Sequence, residues 1–176
     1  MGLRKVLRSL TFSGISVNMA DITSSLSPLF LRDEELSAGL DLLFCAFRDV
    51  AAESDPTLVS HSFGRAHHRV VYFVGRNPGI TVSELLAILR ITKQSLSRVL
   101  GQLVAKGFIA QRPGRDDRRR RMLTLTDAGV DLERKLTAGQ RARIARAYRA
   151  AGPQAVEGYR KVLAGLIDGD GPKDHV

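Results

Sequence analysis

Two helix-start signals lie so close together in the middle of this chain that they leave little choice of local fold. Thr81-Val82-Ser83-Glu84 has the form of a capping box, in which the Thr hydroxyl and the Glu carboxylate satisfy each other's otherwise unpaired backbone N–H groups. A short helix therefore starts at Val82 and carries Leu85, Leu86 and Leu89 inward. Arg90-Ile91-Thr92 is a tight connection, and Thr92 can cap a second helix over 93–106 that Gly107 stops. The apolar stripe of that helix is Leu96, Val99, Leu100 and Leu103. Two short helices joined by about three residues form a helix-turn-helix unit.

The flanks of this unit read as more helix and one hairpin. Asp33 looks like the N-cap of a helix running to about Glu53, where Asp55-Pro56 ends it. Leu36, Leu40, Leu43, Phe44, Phe47, Val50 and Ala51 follow helical spacing, and Leu42, Cys45 and Ala46 widen the face, so this helix needs two surfaces to bury against. A second helix is expected from Ser62 to Arg76, with Phe63, Ala66, Val70, Val71, Phe73 and Val74 inside, before the turn Asn77-Pro78-Gly79. Downstream, Phe108-Ile109-Ala110 and Met122-Leu123-Thr124-Leu125 read as strands of a hairpin with a long charged tip. Thr126 caps a long helix to about Ala150, with Leu132, Leu136, Ile144, Ala147 and Tyr148 on its buried side. Gly152-Pro153 breaks it and starts a last helix that buries Val156, Tyr159, Leu163 and Leu166.

The expected fold is thus mostly α: a winged helix-turn-helix region over 61–126 with a small β-hairpin wing, and terminal helices over 31–60 and 127–168 forming a dimerisation region. Residues 1–30 are expected to be a disordered or loosely attached arm, and 169–176 a flexible tail. Within that arm, residues 1–18 carry Arg4, Lys5 and Arg8 without an acid, and read either as an arm or as an extension ahead of a start at Met19.

Charge narrows the partners. The 176 residues hold 27 Lys and Arg against 18 Asp and Glu, a formal net charge of +9, which points to a polyanion. Six arginines and two aspartates crowd residues 112–121, at the hairpin tip. Such density self-repels in the free protein and gains through phosphate contacts and counterion release on nucleic acid. A solvated loop or an RNA-binding patch would show the same charge, and the adjacent helix-turn-helix favours double-stranded DNA. Membrane-surface binding would need an amphipathic basic helix, of which residues 1–18 offer only a faint version. One cysteine excludes an internal disulfide and fits a reducing cytoplasm. With no Gly-rich phosphate loop, no paired carboxylates in an apolar setting and no Cys or Ser beside a plausible base, neither enzyme activity nor a cofactor is expected. His61, His67 and His68 lack acidic companions and suit packing or hydrogen bonding better than a metal, and Cys45 on an apolar face suits the core.

The candidate DNA-binding residues follow. On the second helix of the motif, Lys93, Gln94, Ser95, Ser97 and Arg98 lie away from the apolar stripe and toward the N-terminal half, where such helices meet base edges. Gln can pair with adenine and Arg or Lys with guanine, while Thr92 and Ser95 could equally hold phosphates. On the wing the set is Arg115, Asp117, Arg118, Arg119, Arg120 and Arg121. Strand alternation puts Arg119 and Arg121 on one side and Arg118 and Arg120 on the other.

In Gly79 to Leu85, Thr92 to Gly107, Asp117-Arg118-Arg119, Met122 to Thr126 and Gly129, the sequence resembles the MarR family of bacterial regulators, over about residues 31–168. The runs Phe63 to Val70 and Ile91 to Leu96 look like the PetP-type branch of that family. The resemblance implies a homodimer joined through the terminal helices, with Arg119 entering the minor groove and Asp117 orienting it. It also implies a cytoplasmic, nucleoid-associated regulator, modulated in many members by a small anionic or phenolic effector. A weakly specific, nucleoid-type architectural protein built on the same fold is the alternative.

Overall fold

The computed structural model describes residues 29–114 and 120–167. The chain divides into two compact units, one through Cys45 and the other from Ala46. The described part of the first holds a 3-10 turn, Leu29–Leu31, and most of helix α1, Asp33–Ala52, whose first turn carries Asp33, Glu34 and Glu35 in accord with the helix dipole. The second continues with α2 (Asp55–Ser60), α3 (Arg65–Arg76), β1 (Ile80–Thr81), α4 (Val82–Leu89), α5 (Lys93–Ala105), β2 (Ile109–Pro113), β3 (Arg121–Leu125), α6 (Asp127–Ala151) and α7 (Pro153–Gly165).

The helix-turn-helix forms as its caps dictate. The Thr81 N–H and hydroxyl both donate to Glu84 Oε2, at 2.8 and 2.7 Å, and the Glu84 N–H returns a bond to Thr81 Oγ1. Helix α4 ends at Arg90, held left-handed at φ +48°, with its N–H on the Leu86 carbonyl. Thr92 then caps α5 by accepting from the Ser95 N–H. One core unites the unit from Ala46 onward: Val70, Val71 and Val74 of α3 meet Leu85, Leu89, Leu96, Val99, Leu100 and Leu103 of the motif, Ile109 and Leu123 of the sheet, and Leu132 and Leu136 of α6. Each such side chain contributes about 1.5–3 kcal/mol when fully buried.

The sheet has three antiparallel strands in the order β1-β3-β2, one more than the hairpin expected from sequence. Strand β1 is two residues, pairing Ile80 with Leu123 and Thr81 with Met122, and is too short to leave a periodic signal. Gly79, at φ +87°, turns the chain so that its N–H reaches the Leu123 carbonyl at 2.8 Å. Strand β2 runs further than expected, through Pro113, which an edge strand tolerates.

Other boundaries differ for identifiable reasons. Asp55-Pro56 does not merely end a helix: it starts α2, because Pro is pre-set for the first turn. Helix α3 begins at Arg65 rather than Ser62, since Ser62 is left-handed at φ +57° and Gly64 is extended at its N-cap. Phe63 is therefore buried ahead of the helix; Ala66 is exposed, and His68 takes the inward position.

The terminal helices depart most from expectation. Helix α1 has no buried residue, and Leu36, Leu40, Leu42, Leu43, Phe44 and Phe47 are exposed, with Cys45, Val50 and Ala51 half-buried. In α6 burial stops at Thr137: Ile144 and Ala147 are exposed and Tyr148 is half-buried. Helix α7 has no buried residue either; Tyr159 and Leu166 are exposed, Val156 and Leu163 half-buried. The apolar stripes are where the sequence puts them, but the described residues leave them uncovered. The end of α1 does meet α6. Gln140 donates to the Val50 carbonyl at 3.2 Å, and Arg143 Nε bonds Glu53 at 2.7 Å. The expected arm, 1–30, lies outside the described residues except for Leu29 and Phe30, as does the tail 169–176.

At the start of α6, a Cβ on Gly129 would run into the Phe108 carbonyl, so Gly129→Ala should destabilise by about 1–3 kcal/mol in chemical denaturation, and an unchanged midpoint would refute the close approach. Burial holds the His68 imidazole below its ordinary pKa of 6.5, against an opposing pull from Glu133. The unfolded chain then binds the proton more readily, so stability should fall as pH drops through about 6.5 toward the lower folded value. His68→Leu should flatten that slope between neutral pH and about pH 5; an equally steep slope would show that other groups cause it.

Candidate nucleic-acid interface

Helix α5 presents one face to the core and the other to solvent. Thr92, Lys93, Gln94, Ser95, Ser97 and Arg98 are all exposed, on the side away from Leu96, Val99, Leu100 and Leu103. The two hydroxyls are tied to each other: Thr92 Oγ1 donates to Ser95 Oγ at 2.9 Å while accepting from the Ser95 N–H. The Ser95 hydroxyl can donate to a phosphate or a base, and Gln94 and Arg98 are exposed on the same helix.

The rest of α5 is fixed by contacts that no local sequence signal announces. The Gly64 N–H donates to His67 Nδ1, so the ring proton sits on Nε2, which donates to Gln102 Oε1 at 2.6 Å. The His67 ring stacks on Phe63 with centroids 4.5 Å apart, and Phe63 meets Phe108 edge-on. Just past the helix, Lys106 Nζ lies 4.7 Å over the Phe63 ring and donates to the His61 carbonyl at 2.7 Å. His61 and His67 thus pack and hydrogen-bond. At the other end, Arg69 Nη2 donates to the Leu89 carbonyl at 3.1 Å, bracing the turn between α4 and α5. Arg69, Gln102 and Lys106 were not among the sequence-derived candidates. Their partners are far along the chain, so no local pattern marks them.

In the wing, β2 and β3 pair from Ile109–Leu125 to Pro113–Arg121, and the Gly114 N–H reaches the Arg120 carbonyl beyond them. Arg112 and Arg121 are exposed on the two strands. Arg120 sits at the base of the tip, with Nη2 3.7 Å from Glu84 Oε1. The Glu84 carboxyl is held below its usual range by the Thr81 backbone and side-chain hydrogen bonds first, with Arg120 contributing further. Arg115, Asp117, Arg118 and Arg119 lie outside the described residues, and with them the expected alternation across Arg118 and Arg119.

Among the described residues no cluster of His, Cys, Asp or Glu could hold a metal, and no helix is long and apolar enough to cross a membrane. An open cleft of about 380 Å³ lies between the end of α1 and helices α6 and α7, walled by Val50, Ile144, Ala147 and Val156, with Arg143, Tyr148 and Tyr159 also lining it.

Comparison with known proteins agrees with this geometry. The MarR family model matches residues 61–120, from the turn between α2 and α3 into the wing. The HTH-type transcriptional regulator PetP of Rhodobacter capsulatus is 50% identical over 140 residues, covering 80% of this chain and 84% of that protein. The FabT protein of Streptococcus pneumoniae, solved in complex with DNA, superimposes with a TM-score of 0.61 at 19% identity, over 74% of this chain and 94% of FabT. A crystal structure of MarR gives 0.59 at 22% identity, over 72% of this chain and 86% of that one; at such identities the likeness speaks to the fold. Regulators of this family bind DNA and are not enzymes. The chain belongs to the MarR family of winged helix-turn-helix, DNA-binding transcriptional regulators.

Proposed function

We propose that this chain is a sequence-specific regulator that binds double-stranded DNA as a homodimer, with α5 in the major groove and the arginine-rich wing in the minor groove. The observation that carries the reading is the exposed row Lys93, Gln94, Ser95, Ser97 and Arg98 on a helix whose opposite face is fully packed. A rigid helix with short polar groups at its N-terminal end suits base-edge contact. In this reading Thr92 serves phosphates, Arg115, Arg118, Arg120 and Arg121 supply charge along the backbone, and Asp117 orients Arg119 for the narrow groove. Residues 61–126 form the DNA-binding region. The segments 31–60 and 127–168 form the dimer, for which the uncovered Leu40, Phe44, Phe47, Val162 and Leu166 argue. A small effector modulates binding, and the cleft beside Tyr148 and Tyr159 has the volume for one. The protein works in the cytoplasm, at the bacterial nucleoid.

Gln94→Ala or Arg98→Ala should lose about 1–3 kcal/mol on a duplex selected by the wild-type protein from a random pool, and little on unselected duplex. Equal losses on both would favour the weakly specific architectural alternative. In sedimentation at about micromolar concentration, the wild type should run as a dimer and Phe47→Asp as a monomer; a wild-type monomer would refute the assembly.

A further inference from the structure

Glu84 has two carboxylate oxygens and the fold uses them differently. Oε2 is taken by the Thr81 N–H and hydroxyl, at 2.8 and 2.7 Å. Those two bonds fix the side chain from within the motif, so the place of Oε1 is set by the cap. Oε1 faces Arg120 Nη2 at 3.7 Å. Arg120 immediately precedes β3, whose Met122 pairs with Thr81. The base of the wing is therefore joined to the start of α4 twice, by the β1–β3 backbone pairing and by this ion pair.

We infer that Glu84 is a positioning residue for DNA binding: its free carboxylate oxygen holds the Arg120 guanidinium at the base of the wing and yields it to a backbone phosphate when DNA docks. The inference rests on the DNA-binding reading above. The physical case is an exchange of one anion for another. Both side chains of the pair are more than half exposed, at 59% for Arg120 and 56% for Glu84, so the pair is weak and an incoming phosphate can reach the guanidinium. Phosphate offers Arg a paired acceptor geometry that this single 3.7 Å contact lacks. In the free protein, Glu84 offsets one of the charges that crowd the wing and gives its side chain a fixed starting place. On DNA the same carboxylate competes with the backbone, which restrains binding equally on every sequence.

The two duties of Glu84 can be separated. Gln serves a capping box as well as Glu does, so Glu84→Gln keeps the Thr81 bonds and removes the charge that faces Arg120. Thermal denaturation serves as the fold control, and the midpoint should stay within a few degrees of the wild type. On unselected duplex DNA, Glu84→Gln should bind about two- to fivefold more tightly per subunit, the range expected for an exposed ion pair. Its log-affinity against log-salt line should run parallel to that of the wild type, since Arg120 meets a phosphate in both, whereas Arg120→Ala should flatten the line by about one unit per subunit. In an Arg120→Ala background, Glu84→Gln should change neither quantity. An equal gain in that background would mean that removing any negative charge helps, and would overturn the assignment, as would an unchanged salt slope in Arg120→Ala alone. The pair can also be read without DNA, through the carboxyl carbon of Glu84 in an NMR titration. Arg120→Ala should move its pKa up toward the ordinary value, and no movement would overturn the pairing. If the wild type bound no duplex while this titration behaved as expected, the DNA reading would fail and the ion pair would stand.

Discussion

The reciprocal cap between Thr81 and Glu84 sets the frame for the rest of the DNA-binding half. It fixes where α4 begins, and α4 is only two turns long, so its end and the turn at Arg90 follow directly. Helix α5 then starts at the next cap, Thr92, with its direction determined by a connection too short to flex. The same Thr81 is the last residue of β1 and pairs with Met122, so the cap also registers the wing. A displacement of this one junction would move the exposed face of α5 and the base of the hairpin together. That common origin is what a reader of DNA needs, because groove contacts tolerate little relative error between elements.

Around that frame the chain is built on two different footings. From α3 to Leu136 most large apolar residues are covered, Ile88 and Val130 excepted, and the side chains that hold α5 in place reach across the fold: His67 to Gln102, Arg69 to the Leu89 carbonyl, Lys106 to the His61 carbonyl. In α1, late α6 and α7, apolar side chains of the same size stay in water. Isolated apolar surface residues are ordinary, but rows of Leu and Phe along a helix are not. The helix-forming pattern was satisfied and the burial pattern was not. A second surface is the simplest resolution, and it leaves the single-chain core intact.

This division also explains what could be read from the sequence. The two helices between Asn77 and Gly107 were legible almost to the residue, because caps, a left-handed Gly and a three-leucine face are local signals. The start of α3 was misplaced because the left-handed Ser62 gives no compositional warning. The Asp55-Pro56 pair was ambiguous by nature, since Pro is as good at opening a helix as at closing one. Strand β1 was invisible because two residues have no period. At the site, the exposed residues of α5 could be picked out by elimination from the apolar stripe. The residues that brace them could not, as their partners lie 20 to 45 positions away.

Charge adds the last constraint. Six arginines and two aspartates in residues 112–121 give the wing a net positive charge whose self-repulsion is screened only beyond a Debye length of about 8 Å at physiological salt. Hydrophobic burial cannot offset this, since Arg112 and Arg121 lie exposed on their strands. The fold can either leave the charge to counterions or supply an anion of its own. Glu84 is that anion for Arg120, and the capping box holds its carboxylate in place. The residue that defines the start of α4 thus also restrains one charge of the wing. Local folding and the electrostatics of recognition meet in a single side chain.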